Sequence, residues 1–588
     1  MALSDLGLNR SRSAIVFVVP ETVNGTIDTE RTNSLPDRPK HLSDTDTDAF
    51  GLVSVPVIGQ QGNYSDTSEI GPELITTDRV LNYMEYSTFD FEYYAKPGGR
   101  TLATAITGGT AANTGATVTL TNTGNISGIA AGDTVLISGT GHASSDGLQL
   151  VTAVSGSDSI SYVAKGTPSL SVTTISIQKV SFVLPKEDVI LSKCFGGTKF
   201  MSTAHNGYSS GETSTSVNSV PLTSSNATSV SYFLKNISQT LTVHSRQFTE
   251  DSIQMYTATG ALPTSFSVTF AKDGAVTYTS GFQANRVFYT GTAELNKSSD
   301  ITLPASHATE FTVTVIAPKR HHKDSAATAS DVLYTQQING VFSSGSQVQI
   351  RRKAGSTVTN FGPFEVVAIS GAVVTLKGSS GSATVTASGA DSFFLIPFMP
   401  DANLSTSVID QRKVQVFIAD AIKDSPNDLL NPNPTVAAVT DANVMLAGES
   451  NTTSHLYNLG NALDVTSVNF DFDRAITTPA LTEMSGEEFP AASYVINEPT
   501  ITGSLTLLLR PKDFQFMNSL REEPRRAIGV RVGSVEGKII EMGAASAFFE
   551  VPTPADADGA TQIDIPFTVI RGDLGETDDA NKFFLRYR

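Results

Sequence analysis

The 588-residue chain predicts a mainly β protein: two β-sandwich or barrel units, each with one packed α-helix, plus two small all-β modules. Three observations predict it. Charged residues are only 17% of the chain and hydrophobic residues 39%, with Ser, Thr, Gly, Ala and Val abundant, a mix that favours strands. Many short runs alternate large apolar with small or polar side chains, the period of a strand with one buried face. One element, a strand that turns through a basic residue and Pro into a helix, occurs twice.

Residues 1–60 are rich in Asp, Thr, Ser and Pro, with apolar patches at 15–19 and 52–58. They predict an extended N-terminal arm. Residues 61–97 open the first unit and end in the alternation Phe89-Asp90-Phe91-Glu92-Tyr93. Residues 98–178 carry few charges and short β runs at roughly ten-residue spacing, the pattern of an inserted small β module. The first unit resumes at 179. There "PKEDVILSKCF" (185–195) predicts a helix, with Pro185 in its first turn, Glu187 and Asp188 near its N-terminus and Gly196-Gly197 ending it.

The same corner runs uninterrupted through "SLTLLLRPKDFQFMNSLR" (504–521), where Phe514, Met517 and Leu520 lie at helical spacing. The first copy is therefore split by an insertion at a turn. Two hairpins match next, "SFSVTFAKDGAVTYTSGF" (265–282) and "AIGVRVGSVEGKIIEMGA" (527–544). Two closing strands follow, "ATEFTVTVIAP" (308–318) and "ATQIDIPFTVIRG" (560–572). The units are then 61–97 with 179–320, and 405–588. Between them, 330–400 reads as a second small β module, because 338–355 echoes 126–141.

The net charge of −18 disfavours nucleic-acid or anionic-membrane binding, though such a chain can surround DNA without gripping it. One cysteine, Cys194, rules out an intrachain disulfide framework. The apolar run 14–19 is too short for a signal sequence, and no stretch approaches the roughly 18 apolar residues of a membrane span. A soluble, cytosolically made protein with no membrane partner is the expectation. Trp is absent, which argues against aromatic sugar-binding platforms.

No catalytic signature stands out. Glu487-Glu488 and Asp578-Asp579 are adjacent pairs of the kind found on solvated faces. His321-His322 lacks a spaced third ligand, and Asp556-Ala-Asp558-Gly559 lacks the rest of a calcium loop. Cys194 reads as helix packing. No enzyme activity, cofactor or metal is expected.

The strands carry a two-face code. Phe266, Val268 and Phe270 alternate with Ser265, Ser267 and Thr269; Val468, Phe470 and Phe472 with Asn469, Asp471 and Asp473; Leu505, Leu507 and Leu509 with Ser504, Thr506 and Leu508. One face packs on a core and the other meets water. A duplicated sheet with one wet face suits a ring, in which cyclic association hides the sheet edges and the polar face lines the hole.

The stretches "SEIGPELITTDRVLNYMEYSTFDFEY" (68–93), "LLLRPKDFQFMNSL", "GVRVGSVEGKIIEMG" and "FFEVPTPADADGATQIDIPFTVI", with the opening "VPETVNGT" (19–26), resemble the tail tube (major tail) proteins of long-tailed bacteriophages. The likeness covers roughly 19–97, 180–318 and 405–588, with the two small modules as decorations.

The resemblance implies stacked rings forming a hollow tail tube, lined by a β-barrel channel through which the genome passes. The duplicated form implies a trimeric ring with pseudo-sixfold symmetry. Partners would be further copies, other tail proteins at the tube ends, the tape measure protein and, transiently, DNA in the lumen. The location would be the virion tail. Candidate lumen-lining residues are Ser265, Ser267, Thr269, Asn469, Asp471, Asp473, Thr502, Ser504 and Thr506. Arg531 also falls on a polar face and would need a partner in an acidic channel. Candidate inter-ring contacts are the arm and the loop at 447–462, with Asn451, Thr452, Thr453, Leu456 and Tyr457. Host-surface glycans are candidate ligands of the small modules. The rival reading is an extracellular adhesin or surface-layer protein of Ig-like modules, which shares the composition but leaves the doubled unit unexplained.

Overall fold

The alternating runs are strands, and the largest group of them forms one body. In the computed structural model, 18 strands join in one hydrogen-bonded network. Residues 1–13, 22–39, 43–48, 70–75, 202–215, 222–228, 304–309, 317–341, 401–407, 421–456, 478–494, 509–516 and 571–582, with some shorter stretches, lie outside the described residues. The strands are β1 (Ala14–Pro20), β2 (Ala49–Gly51), β3 (Ser87–Tyr94), β4 (Gly196–Met201), β5 (Ser229–Leu234), β6 (Leu241–Phe248), β7 (Ile253–Ala271), β8 (Thr277–Ala284) and β9 (Arg286–Thr290). The second half supplies β10 (Val414–Asp420), β11 (Tyr457–Asn458), β12 (Asp464–Asp473), β13 (Thr500–Leu508), β14 (Arg525–Val532), β15 (Ile540–Phe549), β16 (Thr553–Ala557), β17 (Ala560–Val569) and β18 (Phe583–Tyr587).

The ladders repeat. In the first half β2, β1, β6, the start of β7 and β9 lie side by side. In the second half β11, β10, β14, β15 and β18 do the same. Even the irregularity recurs, between Leu241 and Val243 opposite β7 and between Arg526 and Ile528 opposite β15. The second layer repeats too: β3, β8 and the end of β7 correspond to β13, β17 and β16.

The two layers close on one core. Phe470 of one layer packs 5.9 Å from Phe583 of the other, and the Tyr278 and Tyr587 hydroxyls meet at 2.9 Å. The helix α1 (Asp188–Phe195) buries Ile190, Leu191, Cys194 and Phe195 in this core and ends on Gly196 at φ 86, in the left-handed region that favours glycine. Of the second corner, Met517, Asn518, Leu520 and Arg521 are helical. Leu520 is buried in the core with Met517 against it, as their spacing predicts, while Phe514 lies outside the described residues.

Three expectations change. Part of the N-terminal arm is a core strand: β1 pairs on both sides and buries Val16, Phe17 and Val18, because an apolar run that long gains more from burial than from solvation. The hairpin match was displaced by one element. The counterpart of 527–544 is the β6–β7 hairpin, and β7–β8 corresponds to β16–β17. The expected closing strand 308–318 leaves the unit altogether. Glu310–Ile316 pairs with Val373–Lys377 and Ala293–Leu295 in a small closed barrel with Gln347–Ala354, Thr357–Ser370 and Ser392–Pro397.

That barrel and the inserted module share a plan. Thr134–Ser138 pairs with Gly147–Ser155 and Ser176–Val183 as Gln347–Ala354 pairs with Thr357–Ser370 and Ser392–Pro397. The entry turn carries the same bond, Gly132 N–H to the Val151 carbonyl and Gly345 N–H to the Val366 carbonyl, each 2.7 Å. The inserted module extends past 178: Ser176–Val183 buries Ile177 in the module's core and Phe182 in the main core.

Candidate functional site

The inner layer runs unbroken across both halves, in the order β3–β8–β7–β12–β13–β17–β16. Its centre is the β7–β12 ladder, where Ser265, Ser267 and Thr269 stand opposite Asp473, Asp471 and Asn469. β13 continues it, with Ser504 opposite Asn469 and Thr502 opposite Asp471. Thr506 stands opposite Asp564 of β17 and donates to its carboxylate at 3.1 Å. All nine predicted lining residues thus share one face of three adjacent strands. The intervening Phe266, Val268, Phe270, Val468, Phe470, Phe472, Leu505 and Leu507 are buried behind them.

The face extends beyond those nine. On β3 it adds Thr88, Asp90 and Glu92; on β8, Thr277, Thr279 and Gln283; on β17, Gln562, Asp564 and Thr568. Phe89, Phe91 and Tyr93 alternate with the β3 set, so that part was visible in the sequence once its strand was placed beside β8. Among the described residues this face holds the carboxylates Asp90, Glu92, Asp471, Asp473 and Asp564 and no lysine, arginine or histidine. None of the five carboxylates has an ion-pair partner among the described residues. The Asn469 amide donates to Asp471 at 2.9 Å, holding one carboxylate along the strand.

Close packing holds the strands together behind this face. At Gly503 of β13, a Cβ would lie 2.3 Å from the Asn469 carbonyl oxygen and 2.4 Å from the Phe567 ring. Only glycine lets the three strands approach as they do.

No protein-family model matches the chain, and no curated protein matches it.

The other predicted positions fall elsewhere. Arg531 lies on β14 in the opposite layer, 3.8 Å from Glu541, which also meets Arg586 at 3.3 Å. It is therefore not part of the acidic face. Tyr457 belongs to β11 and pairs with Ile418, while Asn451, Thr452, Thr453 and Leu456 lie outside the described residues. Cys194 is fully buried, and burial pushes its thiol up to about 12, which disfavours the thiolate a nucleophile needs.

The outer layer is the covered one. Phe17 and Ala49 pack with Leu42 and with Phe398, which follows the last barrel strand. His244 contacts the Lys40 carbonyl at 2.9 Å, and His41 contacts the Gly345 carbonyl at 3.0 Å. The small barrel therefore sits behind the main body, on the side away from the acidic face.

Proposed function

We propose that this chain is the ring-forming subunit of a bacteriophage tail tube and that its inner layer lines the channel for the genome. The observation that carries the reading is the continuity across both repeats of one carboxylate-bearing face with no Lys, Arg or His among the described residues. A duplex binds proteins chiefly by releasing counterions at Lys and Arg contacts. A wall of Ser, Thr, Asn and Asp offers no such contacts and repels phosphate, so DNA slides past it. The small barrel on the opposite layer fits a decoration on the outside of a tube.

Two repeats per chain suit a trimeric ring with pseudo-sixfold symmetry. Stacked rings would form the tube, with the tape measure protein inside it and other tail proteins at its ends. The two small modules, outside the lumen, would meet the host surface, with glycans as their ligands. The adhesin reading gains nothing from the inner layer, since an adhesin needs no continuous carboxylate-bearing face.

Negative-stain microscopy of the purified full-length chain tests the proposal. Rings or stacked tubes with an open channel are the expected result. Persistently monomeric particles at high concentration would overturn it.

A further inference from the structure

The repeat contains a junction whose counterpart does not occur among the described residues. Within the chain, the end of β7 closes the first inner sheet and pairs with β12, which opens the second. The counterpart of the end of β7 is β16, since both follow their outer-layer strand and pair with β8 or β17. Among the described residues β16 pairs with β17 alone. The counterpart of β12 is the segment after β2. Leu52 bridges Tyr93 of β3 as Val465 of β12 pairs with Leu507 of β13.

That segment then departs from its counterpart. Val53 N–H donates to the Glu92 carbonyl at 2.7 Å, but residues 55–58 leave the ladder, and contact resumes where Ser87 Oγ donates to the Gly59 carbonyl at 2.6 Å. Among the described residues the inner sheet thus ends in a strand paired on one side only and, at its other end, in a segment that leaves the ladder.

Both ends expose apolar side chains. At one end stand Phe548 and Val551, and at the other Val53 and Val57, Val57 being 86% exposed. The repeat supplies a control. Leu262 of β7 stands at the position of Phe548 and is 3% exposed, whereas Phe548 is 42% exposed. The same position is buried beside the internal junction and open at the free end.

We propose that successive copies join edge to edge, β16 and its lead-in at Phe548–Val551 of one copy lying along residues 53–59 of the next, as β7 lies along β12 within the chain. The occupant of each edge is a second copy because the chain already contains one finished example of the contact. The two edges differ, so the interface is head-to-tail, and a head-to-tail interface closes into a ring when its rotation allows. Capping the edges this way also removes open strand edges. The inference rests on the ring-forming reading above and names the strands that make the ring.

The test is the full-length Val57→Cys/Val551→Cys variant; the native Cys194 is buried and does not compete. With a short bismaleimide, the double variant is expected to give covalent multimers ending at a closed ring, and either single variant only monomer. Rings by microscopy without covalent multimers would overturn this seam while leaving the tube reading standing. Monomers alone in both measurements would overturn both. As a second arm, Val551→Asp is expected to lower assembly at least tenfold and Val551→Asp/Val57→Lys to restore it. Unchanged assembly of Val551→Asp would also refute the seam.

Discussion

The Tyr587 hydroxyl donates a 3.0 Å hydrogen bond to the Glu187 carboxylate, 400 residues away in sequence. The same carboxylate accepts the Lys96 backbone N–H at 2.6 Å. Glu187 stands at the start of α1 and Tyr587 on β18, so one buried acid ties the first corner to the end of the second repeat.

That acid makes stability depend on pH. Burial pushes the Glu187 carboxyl up to about 7 from an ordinary 4.5, against the opposing pull of its hydrogen bonds. The folded state therefore holds this proton to higher pH than the unfolded chain does. Its contribution is fully present below pH 4.5 and is lost as pH rises through about 7. The full loss is on the order of 3 kcal/mol. Glu187→Gln should flatten this part of the pH profile in urea denaturation. A wild-type minus variant difference that stays constant from pH 5 to 8 would contradict the assignment.

Phe195 joins the halves through apolar contact. Its ring lies 5.5 Å from Phe266, 5.4 Å from Phe472 and 5.7 Å from Phe583. Phe195→Ala should cost about 3–5 kcal/mol, the range for a fully buried aromatic. The midpoint of guanidinium unfolding measures it. Phe195→Leu should recover much of the loss.

The inner face should tolerate a new cation structurally and fail functionally. Asp471 and Asp473 are half-buried and exposed, so Asp471→Lys and Asp473→Lys should leave thermal stability nearly unchanged. On the proposed tube reading, tubes of the double variant should bind duplex DNA at low salt and wild-type tubes should not. Affinity should fall as salt rises, by about 0.9 log per log of salt for each phosphate contacted. DNA retention on the tubes, measured by filter binding across a salt series, decides the matter.

Gly503 sets the spacing of β12, β13 and β17. Gly503→Ala forces either the Asn469 carbonyl or the Phe567 ring to move, and overpacking of this kind costs about 1–3 kcal/mol. Calorimetry should show a lower Tm. An unchanged Tm would mean the sheet relaxes there freely.

Much of this plan was legible in the residues. Period-two alternation identified which side chains of β7, β12 and β13 share the polar face, because burial on one side of a strand leaves that signature directly. The split corner was legible because a Pro-led helix start and a glycine stop are local signals. The hairpin match slipped by one element for a physical reason. β7 runs unbroken from Ile253 to Ala271 and serves two sheets, while its counterpart stops at Phe549 and a separate strand starts at Thr553, after three intervening residues. Alternation looks the same whichever neighbour a strand pairs with, so the partners of Glu310–Ile316 were equally invisible.

By itself the sequence determined the strand-rich class, the doubling, and the two-face alternation of β7, β12 and β13, all properties of local order and spacing. Only the tertiary structure decided that Ser267 meets Asp471 across the seam, that β3 and β17 extend the acidic face, and that Arg531 lies in the other layer beside Glu541. Those are relations between distant segments, set by which edges find one another as the core closes.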